Sequence, residues 1–270
     1  MIPAHDEERS IGTLLRALEP LAGTTEVIVV ANGCHDRTAV AAKEAAPWAT
    51  VLDLPAPGKP AALDAGDAAA TTFPRLYLDA DVTISAEAVT ALFEAVEGGL
   101  AAAGATPEYD LRGVSPVVRS HHRFWEALPA VRHGINGTGA MVVSAAGRAR
   151  FGTWPPLIGD DYFLDGLFAD DEKARVPGAR VMPPTSRGFY DCVSRKARVH
   201  QGNVDIRAAG LRARHTGGGG GGVKAVLRER PGLVVHLPAH LVITVASRLL
   251  AARRRRGGTS QVWFRDSSRA

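Results

Sequence analysis

The sequence predicts an α/β fold with a mainly parallel central sheet flanked by helices and a C-terminal helical tail. Three observations predict it. Over the first 100 residues, short apolar runs alternate with segments of helical period, the pattern of a parallel sheet covered on both faces. The polar residues of that stretch fall at the ends of the runs, where such sheets bind ligands. The net charge of +4 is unevenly placed: residues 223–270 hold ten basic and two acidic side chains, a net of +8, which leaves −4 on residues 1–222. The expected organisation is a folded domain over 1–222 and a basic helical tail over 223–270.

The elements follow in order. Glu7–Leu18 spaces Ile11, Leu14, Leu15 and Leu18 as one helical face, with Asp6, Glu7 and Glu8 expected in its first turn, where the helix dipole favours anions. Glu26–Val30 reads as a strand entering the turn Asn32-Gly33. Thr38–Ala46 reads as a helix stopped by Pro47, and Thr50–Leu54 as a strand. Pro60 suits the first position of a helix running to about Ala70. Arg75–Leu78 is a strand that enters Asp79-Ala80-Asp81. Ser85 caps the next helix, and Gly98-Gly99 stops it. Further on, Leu111–Val118 and Ala140–Val143 read as strands, and Gly217–Gly222 as a flexible loop.

Composition removes several classes. Apolar content of 46% with low net charge excludes disorder, and two cysteines, Cys34 and Cys192, exclude a disulfide scaffold. The basic excess avoids the folded part, so a nucleic-acid partner is not expected. The acidic start Met1–Glu8 has neither a basic n-region nor an apolar h-region, so a cytoplasmic location is expected. Leu233–Leu250 falls short of the ~20 apolar residues that span a bilayer. It reads as a helix packed on the domain or as an interfacial helix. In the second case residues 233–256 lie on an anionic membrane at its inner face, with Arg253–Arg256 on the headgroups.

Four clusters can carry chemistry. Asp79-Ala80-Asp81 can share a hard divalent cation with a phosphate, or is a solvated strand-end turn. Gly58-Lys59 begins a helix after a Pro/Gly loop and suits a phosphate or a sugar hydroxyl, or is a solvated lysine. Asp160-Asp161 precedes an apolar run and can place a general base in a pocket, or satisfies a helix dipole. Arg195, Arg198 and His200 can bind a diphosphate and complete a metal site, or form an exposed basic helix turn with His200 neutral at the surface. Asp165, Asp170, Asp171 and Glu172 are expected to be solvated.

The order of these clusters resembles a family 2 glycosyltransferase of the GT-A fold. The resemblance rests on Ile2–Glu8, Val29–Thr38, Gly58–Leu63, Leu78–Asp81, Gly137–Met141, Gly159–Leu164 and Arg195–Val199, and covers about residues 2–204. It implies an inverting transfer from a UDP- or GDP-sugar to a glycan or lipid-linked acceptor, with Mg2+ or Mn2+. Donor contacts would be Pro3, Ala4, His5, Glu7, Asn32, Lys59, Asp79, Arg195 and Arg198. Asp81 and His200 would hold the metal, and Asp161, beside Asp160, would be the catalytic base. The Arg195–His200 segment would be a loop closing over the diphosphate. His5, Asn32, Asp160 and Val199 depart from the family's common Tyr, Asp, Glu and Trp. Two alternatives stay open. A sugar-phosphate nucleotidyltransferase would need a Gly-rich loop after the first strand, where Pro-Ala-His-Asp-Glu-Glu stands. A non-catalytic carbohydrate-binding relative would not need Asp81 and Asp161.

Overall fold

The computed structural model describes residues 1–211 and 221–256. In chain order the first elements are β1 (Ile2–Ala4), α1 (Ile11–Ala17), β2 (Ile28–Asn32), α2 (Thr38–Ala45), β3 (Thr50–Leu54) and α3 (Lys59–Ala69). Next come β4 (Arg75–Leu78), β5 (Thr83–Ile84), α4 (Ala86–Glu97), β6 (Ala102–Pro107), α5 (Pro116–Trp125) and α6 (Pro129–His133). The rest are β7 (Ala140–Val143), α7 (Ala145–Arg148), α8 (Asp160–Asp165), β8 (Lys173–Met182), α9 (Phe189–Ala208), α10 (Gly221–Glu229) and α11 (Leu237–Arg256). They form two compact units. The first comprises Met1–Tyr109, Ile135–Pro156 and Leu167–Pro184. The second comprises Asp110–Gly134, Leu157–Gly166 and the chain from Thr185 onward.

In the first unit, β1, β2 and β3 form a parallel sheet in that order, with Ile2 opposite Val29 and Val30 opposite Leu52. All five residues of β2 are buried, as the unbroken apolar run of a strand covered on both faces requires. Two backbone bonds join β1 to β4: Met1 N donates to Leu76 O at 2.8 Å, and Leu78 N to Met1 O at 2.9 Å. Beyond β4 the sheet is mixed, in the order β4-β7-β6-β8-β5, with only β6 and β8 parallel. The main core lies between these strands and α1, α2 and α4, with Ile11, Leu15, Val29, Leu92 and Val142 fully enclosed.

A second buried feature of this unit is polar. Asp67 accepts from Arg75 Nη1 (2.8 Å), Tyr77 Oη (3.0 Å), Arg148 Nε (2.9 Å) and Trp154 Nε1 (2.8 Å). One carboxylate thereby ties α3, β4, α7 and the chain after α7 together. Burial, with Asp67 beside it, pushes the Tyr77 phenol up.

Three expectations are corrected. Asp6, Glu7 and Glu8 precede α1 instead of lying in its first turn. Their polar groups bind the loop after β2, which holds Asp6 at φ 54° and draws the segment out of the helix. Leu111–Val118 is not a strand: Pro116 starts α5, and Val114 and Val118, four apart, pack against Cys192, Val193 and Ile243. Of the six glycines, Gly221 and Gly222 open α10, while Gly217–Gly220 lie outside the described residues.

Strands β6 and β8 were not legible. The β6 sequence Ala-Ala-Gly-Ala has little strand propensity, and Gly104 is needed there because a Cβ would meet Ile135 Cβ at 2.7 Å. The β8 run contains Pro177-Gly178, a turn signal, and its pairing with β6 shifts register after Ala105.

The second unit is helical. Helix α11 packs on α9 and α5 through His240, Ile243, Ser247 and Ala251. Its opposite face leaves Leu241, Val242, Val245 and Leu249 exposed. The run Pro231–Arg256 is long and apolar enough to cross a membrane by length and composition.

Candidate active site

In the first unit the carboxyl ends of β1, β2 and β4 carry most of the expected donor residues. Pro3 and Ala4 are buried in β1, with His5 and Glu7 half-buried just beyond it. The loops after β1 and β2 are fastened by reciprocal bonds. His35 N donates to Asp6 Oδ1 (2.7 Å), Arg37 N to Glu8 Oε2 (3.2 Å), Glu8 N to Asp36 Oδ2 (3.1 Å) and Glu7 N to Thr38 Oγ1 (2.8 Å). Burial works to raise the Asp6 carboxyl, but the His35 amide and the nearby imidazoles outweigh it and hold the group below its usual value.

Asn32 is the knot of this crevice. It is 3% exposed, its Nδ2 donates to Ala4 O at 2.8 Å, and its Oδ1 accepts from Gly58 N at 3.0 Å. His5 Nδ1 donates to Asn32 O at 2.7 Å. One residue therefore aligns the ends of β1, β2 and the loop before α3. Gly33 completes the turn at φ 57°, since a Cβ there would stand 2.4 Å from Pro57 N.

The Gly58-Lys59 loop reaches the Asp79-Ala80-Asp81 turn. Lys59 Nζ lies 2.7 Å from Asp79 Oδ1, with both side chains partly open to solvent. Asp79 N donates to Gly139 O at 2.8 Å. Gly139 sits at φ 74°, and a Cβ on it would approach Val82 at 2.6 Å and Asp79 Oδ2 at 3.1 Å. The glycine before β7 is thus the wall against which the Asp79 carboxylate rests. Asp81 is half-buried two residues on.

The remaining candidates belong to the second unit. Asp160 and Asp161 open α8 after Gly159, whose φ is 104°. Tyr162 N donates to Asp161 Oδ1 at 2.8 Å. This turn is seated on α9 at Gly202, where a Cβ would meet Ile158 O at 2.2 Å. Arg207 Nη2 donates to Tyr162 Oη at 2.9 Å, a second tie between the two helices. Asp165, expected in solvent, is buried, because the amphipathic turn of α8 faces it inward with Phe163 and Leu164.

Arg195, Arg198 and His200 lie within the 20-residue helix α9, where the resemblance implied a loop. Helical spacing puts Arg195 and Arg198 on one side and Lys196 and His200 on another. Lys196 Nζ stands 4.5 Å over the Trp125 ring, and burial lowers its pKa to about 8. Burial, then the charges of Lys196, Arg248 and Arg207, push His200 down to about 4, so its imidazole is neutral near pH 7.

Residues 1–149 match the family described as Glycosyl transferase family 2, more than half of the chain. The chain belongs to glycosyl transferase family 2. This transferase also resembles solved structures. A mycobacterial protein shares 21% identity at a TM-score of 0.56, over 76% of this chain and 72% of that one. Glucosyl-3-phosphoglycerate synthase from Mycobacterium tuberculosis, in complex with phosphoglyceric acid, shares 20% at a TM-score of 0.55, over 76% and 77%. The same synthase with Mn2+, UDP-glucose and phosphoglyceric acid shares 19% at 0.56, over 76% and 77%. These likenesses show the GT-A fold. No curated protein sequence matches the transferase. The expectations of family, fold and glycosyltransferase class are met.

Sequence reasoning missed Asp6, the Gly58 amide and the Asp67 cluster. Asp6 and Gly58 act through backbone contacts, which no side-chain pattern announces.

Proposed function

We propose that the transferase moves a sugar, with inversion, from a UDP- or GDP-sugar to an acceptor hydroxyl. The observation that carries this reading is the joining of four motifs in one unit. His5, Asn32 and Gly58 are bonded together, and Lys59 pairs with Asp79 two residues before Asp81. Pro3, Ala4, His5, Glu7 and Asp79 take the base and ribose, with Asn32 as the residue that positions them. Lys59 leaves Asp79 for a donor phosphate or hydroxyl.

Asp81 fits a hard divalent cation, because a half-buried carboxylate beside a second one is an oxygen donor set suited to Mg2+ or Mn2+. Asp81 would hold the ion, which would supply Lewis-acid neutralisation of the departing diphosphate. The solved synthase complex with Mn2+ and UDP-glucose supports the pairing of cation and donor. Arg195 and Arg198 add two guanidinium forks for diphosphate oxygens. Asp161, held by the Tyr162 amide and flanked by Asp160, accepts the proton of the attacking hydroxyl. Residues 1–222 thus carry the chemistry, and 223–270 serve as the anchoring tail.

The same reading gives a glycan or lipid-linked acceptor and a place on the inner membrane face. It is supported by exposed Leu241, Val242, Val245 and Leu249 followed by exposed Arg253, Arg255 and Arg256 on α11.

The deciding experiment incubates the full chain and Mn2+ with a panel of UDP- and GDP-sugars and acceptors, phosphoglyceric acid and lipid-linked glycans included, and measures nucleotide release. Acceptor-dependent release is expected. Asp161→Asn should keep donor affinity within threefold and lower turnover by about 10²–10⁴. Wild-type turnover in that variant would remove Asp161 as base, and no release from any pair would remove the proposed function.

A further inference from the structure

Cys34, His35 and Asp6 have no part in the proposed transfer, yet they converge beside His5. One ligand atom each from His5, Asp6 and Cys34 lies within 4.8 Å of the others. Asp6 Oδ2 stands 3.8 Å from His5 Nε2 and 3.5 Å from His35 Nδ1. The four residues come from two loops, so their meeting is a product of the fold.

The donors are oriented as metal ligands are. The His5 Nδ1–H is fixed by the Asn32 carbonyl at 2.7 Å, which puts the ring's lone pair on Nε2, the atom facing Asp6. The other Asp6 oxygen is fixed by the His35 amide at 2.7 Å, which leaves Oδ2 toward the imidazoles. Cys34 Sγ is held by long contacts of 3.6 Å to Ala4 O and 4.0 Å to Asn32 O and is half-buried, so it can turn and be reached. In a tetrahedral site with legs of 2.0–2.3 Å the donors stand about 3.3–3.8 Å apart. The His5–Asp6 and His35–Asp6 spans already have that size, and the trio His5, Asp6 and Cys34 needs only a small contraction, while the exposed His35 ring, its centroid 6.2 Å from that of His5, swings in as the fourth ligand. A thiolate, imidazoles and one carboxylate select a borderline-soft cation over Mg2+.

We infer that His5, Asp6 and Cys34, with His35 as fourth ligand, form a binding site for Zn2+ or a cation of its class, separate from the Asp81 carboxylate. The bound ion clasps the loop after β1 to the loop after β2. Its neighbourhood to the donor rests on the proposed function, but the site itself does not.

The test titrates metal-stripped full-length protein with Co2+ and with Zn2+, with no donor or acceptor present. One equivalent of Co2+ should give a thiolate-to-metal charge-transfer band in the near ultraviolet, displaced by Zn2+. Cys34→Ser should abolish the band and weaken Zn2+ binding 10–100-fold. Cys34→Ala and Asp6→Asn serve as second variants if the serine form melts at a different temperature without metal. Cys192→Ser and Asp81→Ala should leave the band intact. A missing band, unchanged Zn2+ affinity in both Cys34 variants, or a band lost with Cys192→Ser would overturn the site.

Discussion

The two compact units differ in how completely their buried polar groups are paired. In the first, Asn32, Thr38 and Asp67 are enclosed and hydrogen-bonded, Asp67 to four side chains. In the second are gathered, among the described residues, the buried side-chain atoms without a hydrogen-bond partner: Ser115, Thr185 and Ser186 hydroxyls, both nitrogens of His121, and Nδ1 of His240. His121 is stacked between Trp125 and His240, with ring centroids 6.4 and 5.0 Å away. The first unit is held by directed bonds that also set the geometry of its strand-end crevice. The second adds more packing by shape to bonds such as Arg207 to Tyr162 and Ser247 to Thr244 O, and its helices tolerate imidazoles with unpaired nitrogens because those rings act as apolar packing. A crevice that must present several loops to one ligand needs the directed kind, since each bond fixes an angle as well as a distance.

The sharpest way to break this contrast is Asp67→Ala. It takes their shared carboxylate from two half-buried guanidinium groups, a buried phenol and an indole N–H, and should cost about 3–5 kcal/mol by urea unfolding. A loss below about 1 kcal/mol would show that the network is incidental. Asn32→Ala comes next. It orphans the Ala4 carbonyl and the Gly58 amide, at about 1–3 kcal/mol, and should also loosen the crevice enough to weaken donor binding. If stability falls while donor affinity is unchanged, Asn32 does not position the crevice.

The second unit should show its nature through pH. Burial foremost, then Lys196, His240 and His122, drive His121 down to about 2, and burial with Lys196 and Arg248 drives His240 to about 4. Both are neutral when folded, whereas their unfolded value is near 6.5. The unfolded chain therefore binds more protons below pH 6.5. Stability is complete above that pH and falls as pH drops toward 4, on the order of 2 kcal/mol at pH 5 from His121 alone. His121→Phe, which keeps the stack, should lessen the fall of melting temperature between pH 7 and 5, the rest coming from His240; an unchanged slope would put the effect elsewhere.

The smallest stability effect is expected on the outer face of α11. Leu249→Ser, at a site 66% exposed, should change stability by less than about 0.5 kcal/mol. Joined with Leu241→Ser and Val245→Ser, it should still abolish flotation with anionic vesicles. Removing α11 altogether would be a poor test, because Ile243 and His240 belong to the packing against α5 and α9. Full flotation of the triple variant would dismiss the membrane contact.

Legibility in the sequence followed locality. Helices α2, α3 and α4 and strands β3, β4 and β7 could be read within a residue or two, because each announces itself through period, caps or β-branched runs. The order of short motifs from Ile2 to Val199 was enough for the family. Strands β6 and β8 were hidden, since Ala102–Ala105 lack strand propensity and Pro177-Gly178 reads as a turn. For Arg195–His200 the local reading as a basic helix turn was right, and the loop implied by the resemblance was not.

By itself the sequence determined the alternation of strands and helices, the placement of His5, Asn32, Lys59, Asp79 and Asp81 at strand ends, and the basic tail. Those features depend on neighbours a few residues apart. Tertiary structure decided what the side chains do there. It made Asn32 a buried clamp, paired Lys59 with Asp79, drew Asp6 out of a helix to meet His35, and gathered the orphan imidazoles in one unit. Such roles depend on carbonyls, amides and rings that arrive from distant segments, and only the packed chain brings them within hydrogen-bonding distance.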